Sequence, residues 1–137
     1  MGPLQRRLED AGHACRGPGF GRNLLVRGEL RRLVRAIDEI PGPVVLVGHS
    51  AGGLLSVLAA RRRLDVAAVI GLGSAVAGRI RLDVPWFEAR SVLGLLAPLW
   101  GPDEVRVFPV GHAALPMWPC VQRWVIEKLE EARLGQW

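Results

Sequence analysis

Residues 43–75 read PVVLVGHSAGGLLSVLAARRRLDVAAVIGLGSA, two short apolar runs separated by an apolar, Ala-rich segment. The runs Val44–Val47 and Val66–Gly73 have the length and β-branched content of strands that are buried on both faces of a parallel sheet. The segment between them, from Ala51 to about Arg63, is typical of a helix that ends in a solvated basic turn. This stretch therefore predicts a strand, a helix and a second parallel strand.

The junction between the first strand and the helix reads Gly48-His49-Ser50-Ala51-Gly52, which is a G-x-S-x-G pattern. In this setting the strand-to-helix turn is so sharp that the serine hydroxyl stands clear of the sheet. Small residues two positions before and after the serine let the strand and the helix pass without collision. The motif predicts that Ser50 is a nucleophile. The alternative is a glycine-rich turn that happens to contain a serine.

The rest of the chain continues the alternation of helices and strands. Apolar residues at helical spacing predict helices over Leu4–Ala11, Glu29–Ile40 and Pro119–Ala132. A third strand is predicted over Val105–Val110, and a helix from Pro85 to about Leu96 with Asp83 as its N-cap. Such alternation favours a mostly parallel sheet with right-handed crossovers between layers of helices. We expect a single α/β domain over 1–137, a three-layer sandwich.

A serine nucleophile needs a base, and His112 follows the third predicted strand directly. Because parallel strands end at the same edge of a sheet, Ser50 and His112 are expected at one edge, where sites form. We interpret His49 as structural, because in such a turn it would point away from Ser50. The alternative for His112 is an ordinary surface-loop histidine.

A carboxylate should hold the histidine in the correct tautomer, and three candidates are open. Asp83 is the first choice, because it lies between the second strand and the helix predicted after it, although it could be a plain N-cap. Glu88 lies in the same interval, whereas Asp103 precedes the third strand and is expected about 20 Å from the active edge. The backbone N–H of Ala51 is the expected oxyanion donor.

Composition narrows the classes of function. The net charge is +5, but the basic residues are scattered arginines with one lysine, and no basic stripe is interleaved with aromatic residues, so nucleic-acid binding is not expected. Cys15 and Cys120 lie in no metal-binding spacing, so neither a metal nor another cofactor is predicted. No apolar run of about 18 residues predicts a membrane span, and the first residues do not resemble a signal peptide, which favours a cytoplasmic location.

Residues 43–75 resemble the fifth strand, elbow, helix and sixth strand of the α/β-hydrolase family, in particular its small esterase and lipase-like members. Val110-Gly111-His112 is similar to the family's last strand and histidine loop. The resemblance implies ester or lipid hydrolysis by a Ser-His-acid mechanism, with Ser50 as nucleophile, His112 as base and Ala51 as oxyanion donor. The family's third strand and oxyanion loop would precede Leu4, so we expect a partial, N-terminally truncated α/β-hydrolase fold.

Two other functions are compatible with this resemblance. The first is a catalytically inactive remnant that acts as a binding or assembly module. The second is another reaction on the same elbow, such as acyl transfer or the cleavage of a peptide or C–C bond. The expected partner of an active protein is a small-molecule ester or lipid.

Overall fold

A computed structural model describes residues 2–17, 26–62, 65–94 and 99–134. The predicted turn residues 63 and 64 and the end of the helix predicted to Leu96 lie outside these ranges. The α-helices are α1 (Gly2–Asp10), α2 (Val26–Asp38), α3 (Ala51–Ala60) and α4 (Pro119–Leu134). The strands are β1 (Val44–His49), β2 (Val66–Leu72), β3 (Gly78–Arg79), β4 (Trp86–Ser91), β5 (Leu99–Trp100) and β6 (Glu104–Phe108). Short 3-10 helices cover Val92–Gly94 and His112–Met117.

The main sheet has four strands in the order β1-β2-β4-β6, and every neighbouring pair is parallel. Its carboxyl edge therefore carries the residues that follow each of these strands. The pair β3 and β5 forms a separate two-stranded parallel ribbon. Among the described residues, β1 and β6 are the outer strands of the main sheet.

Helices cover both faces of this sheet, because its strands bury apolar side chains on both sides. One core joins α1 and α4 to side chains such as Ile70, Leu72 and Phe87. The other joins α2 and α3 to side chains such as Val69 and Trp86. The predicted three-layer α/β architecture with a mostly parallel sheet is confirmed.

The prediction of a helix from Pro85 to about Leu96 is wrong, because residues 86–91 form the inner strand β4. Both of its sides are hydrogen-bonded, to β2 and to β6. Trp86 and Glu88 face the layer of α2 and α3, whereas Phe87 and Ala89 face the opposite core. The segment after Pro85 is therefore an inner strand of the sheet. Asp83 precedes this strand and does not cap a helix.

None of the helices in the described part of the chain is both long enough and apolar enough to cross a membrane.

Candidate active site

Ser50 lies at the turn between β1 and α3 and has an unusual backbone conformation. Its φ is 55° and its ψ is −118°, and it is the one residue other than glycine with a positive φ in the described ranges. Such a conformation costs about 1–3 kcal/mol and persists only where the surroundings impose it. The N–H of Ser50 donates to the carbonyl of Leu72, and the carbonyl of Ser50 accepts from Gly53 and Ala75. These bonds fasten the strained turn to β2 and to the loop that follows it.

Two glycines make the turn possible, because a side chain at either position would collide with backbone or with a neighbouring loop. A Cβ on Gly48 would lie 2.3 Å from the carbonyl oxygen of Gly52. A Cβ on Gly53 would lie 2.0 Å from Oγ of Ser74, in the loop after β2. The G-x-S-x-G pattern thus has the strand-turn-helix setting that the sequence predicts, with β1 ending at His49 and α3 beginning at Ala51.

His112 begins the 3-10 helix that follows β6, so it lies at the same edge of the sheet as Ser50. The Nδ1 and Cε1 atoms of its ring lie against Gly73, where a Cβ would be 2.6 and 2.7 Å away. Gly73 directly follows β2, the strand beside the elbow, and has a φ of 58°. The ring itself is exposed. Its Nε2 makes no hydrogen bond to Ser50 within the described structure.

His49 connects the elbow to the His112 loop. Its Nε2 lies 2.9 Å from the backbone carbonyl oxygen of His112, and the two imidazole rings are 4.9 Å apart with a tilt of 34°. Burial lowers the pKa of His49; the neighbouring His112 lowers this pKa further, and the hydrogen bond to the carbonyl opposes both effects. From sequence, His49 is interpreted as structural and as pointing away from Ser50. In the described residues it contacts the backbone and the ring of His112, and no hydrogen bond joins it to Ser50.

Asp83 lies at the opposite edge of the sheet from Ser50. It precedes β4 and lines an open depression of about 370 Å³ together with Asp103. Asp103 precedes β6, and its Oδ2 accepts a hydrogen bond of 2.8 Å from the N–H of Trp86, the first residue of β4. Both carboxylates therefore belong to the amino ends of strands. The assignment of Asp83 as the acid is corrected, because it rested on a helix where the chain forms a strand.

Glu88 is buried in the middle of β4, and both of its carboxylate oxygens accept hydrogen bonds there. Its carboxylate accepts hydrogen bonds from the N–H and Oγ of Ser74, at 2.7 and 3.0 Å, and from Nε1 of Trp86 at 3.0 Å. Burial raises the pKa of this carboxyl, against the opposing effect of these hydrogen bonds. Glu88 therefore fastens the loop after β2, which carries Gly73 and Ala75, beneath the elbow. In the described structure no hydrogen bond joins it to His112.

All the Asp and Glu residues of the chain lie within the described ranges, and none of them is bonded to His112. The arrangement thus supplies a strained serine and a nearby histidine at one edge of the sheet, without a carboxylate on the histidine. No group of three His, Cys, Asp or Glu side chains in the described ranges could hold a metal ion.

The amino end of α3 presents hydrogen-bond donors that could stabilise developing negative charge. The first N–H groups of a helix have no partner inside it. Gly53 and Leu54 donate to the carbonyl of Ser50. The N–H groups of Ala51 and Gly52 have no backbone acceptor among the described residues. The N–H of Ala51 is the first of α3 and directly follows Ser50.

Comparison with protein families matches residues 1–133 to the alpha/beta hydrolase family. A search of curated proteins finds no relative that matches the chain. The family match spans the elbow, the sheet and the His112 loop, which are the elements that the structure brings together at one edge. The chain belongs to the alpha/beta hydrolase family.

Proposed function

We propose that this chain is a serine hydrolase that cleaves carboxylic esters of apolar acids, with Ser50 as the nucleophile and His112 as the base. The observation that carries the proposal is the strained backbone of Ser50 at the junction of β1 and α3. A structural serine has no need of a positive φ, whereas a nucleophile gains exposure and an adjacent helix terminus from it.

In the proposed reaction Oγ of Ser50 attacks the ester carbonyl carbon while His112 accepts the hydroxyl proton. The carbonyl oxygen becomes an oxyanion and accepts a hydrogen bond from the N–H of Ala51. When the tetrahedral intermediate collapses, the alcohol leaves with the proton from His112, and water then hydrolyses the acyl-serine by the reverse sequence. One oxyanion donor contributes about 3 kcal/mol to such a transition state.

No hydrogen bond joins Ser50 to His112 in the described residues, although this step needs one. Hydrogen bonds between catalytic groups often form only when substrate is bound, so the absence of a Ser50–His112 bond is compatible with the role. The ring lies beside Gly73 at the same edge of the sheet as Ser50.

Apolar side chains near this edge support an ester with an apolar acyl group. Val92 and Leu93 follow β4 and are 47% and 77% exposed. Met117 and Trp118, at the end of the 3-10 helix that His112 begins, are 55% and 49% exposed. Exposed apolar residues on neighbouring segments often mark a binding surface. We therefore expect longer acyl chains to be preferred over acetyl.

A fluorophosphonate probe tests the nucleophile, since it reacts covalently with activated serines. The wild-type chain should be labelled, and the Ser50→Ala variant should not. Ser56→Ala is the matched control, because Ser56 lies in α3, which begins directly after Ser50, and its hydroxyl donates to the carbonyl of Gly52. Labelling that persists in Ser50→Ala, or that disappears in Ser56→Ala alone, would contradict the proposal. Turnover of p-nitrophenyl octanoate against p-nitrophenyl acetate then tests the preference for apolar acids.

A second candidate is an inactive family member that serves as a binding module, and one observation favours it. Among the residues that the structure describes, His112 has no carboxylate partner to fix its tautomer in the usual way. This alternative predicts no fluorophosphonate labelling by a chain whose circular-dichroism spectrum is that of a folded α/β protein.

A further inference from the structure

The His49–His112 contact has a defined donor and acceptor. A backbone carbonyl oxygen can only accept a hydrogen bond, so Nε2 of His49 must carry the proton at the observed 2.9 Å separation. Burial and the adjacent imidazole both favour the neutral form of His49. The residue is thus a neutral Nε2–H tautomer that donates to the first residue of the 3-10 helix.

The hydrogen bond from His49 holds the start of the 3-10 helix that carries His112, the proposed base. The His112 ring lies between two neighbours, the His49 ring at 4.9 Å and Gly73 against its Nδ1–Cε1 edge. His49 belongs to β1 and is adjacent to Ser50 in the chain, so it couples the position of His112 to that of the nucleophile. In the described structure no carboxylate performs this task.

We infer that His49 is a positioning residue that holds the His112 imidazole at the elbow by a hydrogen bond to its backbone carbonyl and by ring contact. The inference rests on the proposed function, because it assigns His112 the role of base for Ser50. It accounts for the contact of His49 with both the backbone and the ring of His112.

Two substitutions separate the hydrogen bond from ring packing. His49→Phe keeps a flat ring of similar size and removes the donor, so it should lower kcat about 10- to 100-fold, as misplaced catalytic groups do, while KM stays near the wild-type value. His49→Gln places an amide N–H near the position of Nε2 and should restore most of the rate. His13→Gln is the control, because His13 lies 3.2 Å from Glu130, away from Ser50.

An NMR measurement tests the position of His112 independently of activity. Wild-type protein should show a nuclear Overhauser contact between the His112 ring and the α-protons of Gly73. His49→Phe should weaken this contact and His49→Gln should retain it. If His49→Phe does not fold, His49→Asn serves instead, because its amide is too short to reach the carbonyl.

The outcomes distinguish the inference from the function on which it rests. A wild-type chain that no fluorophosphonate labels would overturn both. A wild-type chain that is labelled, together with a His49→Phe variant that reacts at the wild-type rate and keeps the Gly73 contact, would overturn the role of His49 alone.

Discussion

At the scale of single residues, Gly73 combines a left-handed backbone conformation with close contact to the His112 ring. Its φ of 58° is strained for any other residue, and a Cβ would lie 2.6 Å from Nδ1 of His112. Gly73→Ala should therefore displace the His112 ring, reduce the rate of Ser50 labelling about 100-fold and lower the free energy of unfolding by about 1–3 kcal/mol. Labelling kinetics and urea unfolding measure the two effects.

Gly111→Ala is the matched control for this prediction. Gly111 precedes His112, but it has a φ of −68° and a Cβ there would meet no atom within 4 Å. Alanine should fit without strain and leave both measurements near their wild-type values. Equal losses in the two variants would show that the His112 loop tolerates no side chain at all, and would contradict the specific role of Gly73.

The residues of the proposed site differ in how far the sequence predicts where they lie. Ser50 and Ala51 are predictable because the conformation of the elbow is local and leaves a motif. His112 is predictable from its place after a strand. The contact of His49 with the His112 loop was not predictable, because its partner is a backbone carbonyl 63 positions away, and backbone acceptors leave no residue signature. The sequence feature that could have indicated this contact is the position of His49, directly before Ser50.

At the scale of elements, β4 shows why a strand can be mistaken for a helix. The sequence Asp83-Val84-Pro85 has the residues of a helix start, and Glu88 and Arg90 interrupt the apolar pattern of a buried strand. Glu88 is tolerated in the sheet because Ser74 and Trp86 provide three hydrogen bonds to its carboxylate. Such compensation comes from tertiary neighbours, so local patterns do not reveal it. The strands β1 and β2, whose apolar runs are uninterrupted, were predictable.

A buried lysine joins β6 to α4. Nζ of Lys128 donates to Glu104 of β6 and to Glu131 one helical turn away, and lies 5.0 Å above the ring of Phe87. Burial opposes both charges, raising the pKa of Glu104 and lowering that of Lys128. The hydrogen bonds and attraction between the partners outweigh it, so that the pKa of Glu104 is lowered and that of Lys128 is raised.

The stabilisation from this pair should depend on pH in a predictable direction. A lowered carboxyl pKa stabilises the fold above its unfolded value of about 4.3, and a raised lysine pKa stabilises it below about 10.4. Glu104→Gln should therefore lower the free energy of unfolding by a constant amount between these limits. The loss should shrink as pH falls through the folded pKa of Glu104 or rises through that of Lys128.

Urea unfolding of wild type and variant between pH 3 and 11 measures this dependence. Glu127→Gln is the control, because Glu127 is an exposed residue of α4, the helix that carries Lys128. A difference between wild type and Glu104→Gln that is the same at every pH would contradict the pairing of Glu104 with Lys128.

At the scale of the whole molecule, the elbow is built on an outer strand. Within the described residues β1 pairs with β2 alone. The N–H groups of Val44 and Ser50 donate toward β2, to Asp65 and Leu72. Because successive N–H groups of a strand point in opposite directions, those of Val45, Val47 and His49 point away from the sheet.

Amide hydrogen exchange should therefore alternate along β1. The amides of Leu46 and Gly48 should exchange at least about tenfold more slowly than those of Val45 and Val47, reflecting one hydrogen bond each. In β2, which is paired on both sides, no such alternation is expected at Val69 and Ile70. Uniform protection along β1 would mean that a further segment or a second molecule covers its outer edge.

The conformation of Ser50 also means that keeping a serine at this position lowers the stability of the fold. A positive φ is accessible to glycine without strain, so glycine at position 50 would relax the turn and stabilise the fold, whereas alanine would retain the strain. Selection for stability alone should remove the serine and keep the surrounding glycines. A lineage that retains Ser50 is then under selection for something other than folding, and a relative that has drifted to glycine there marks a loss of chemistry with a gain in stability.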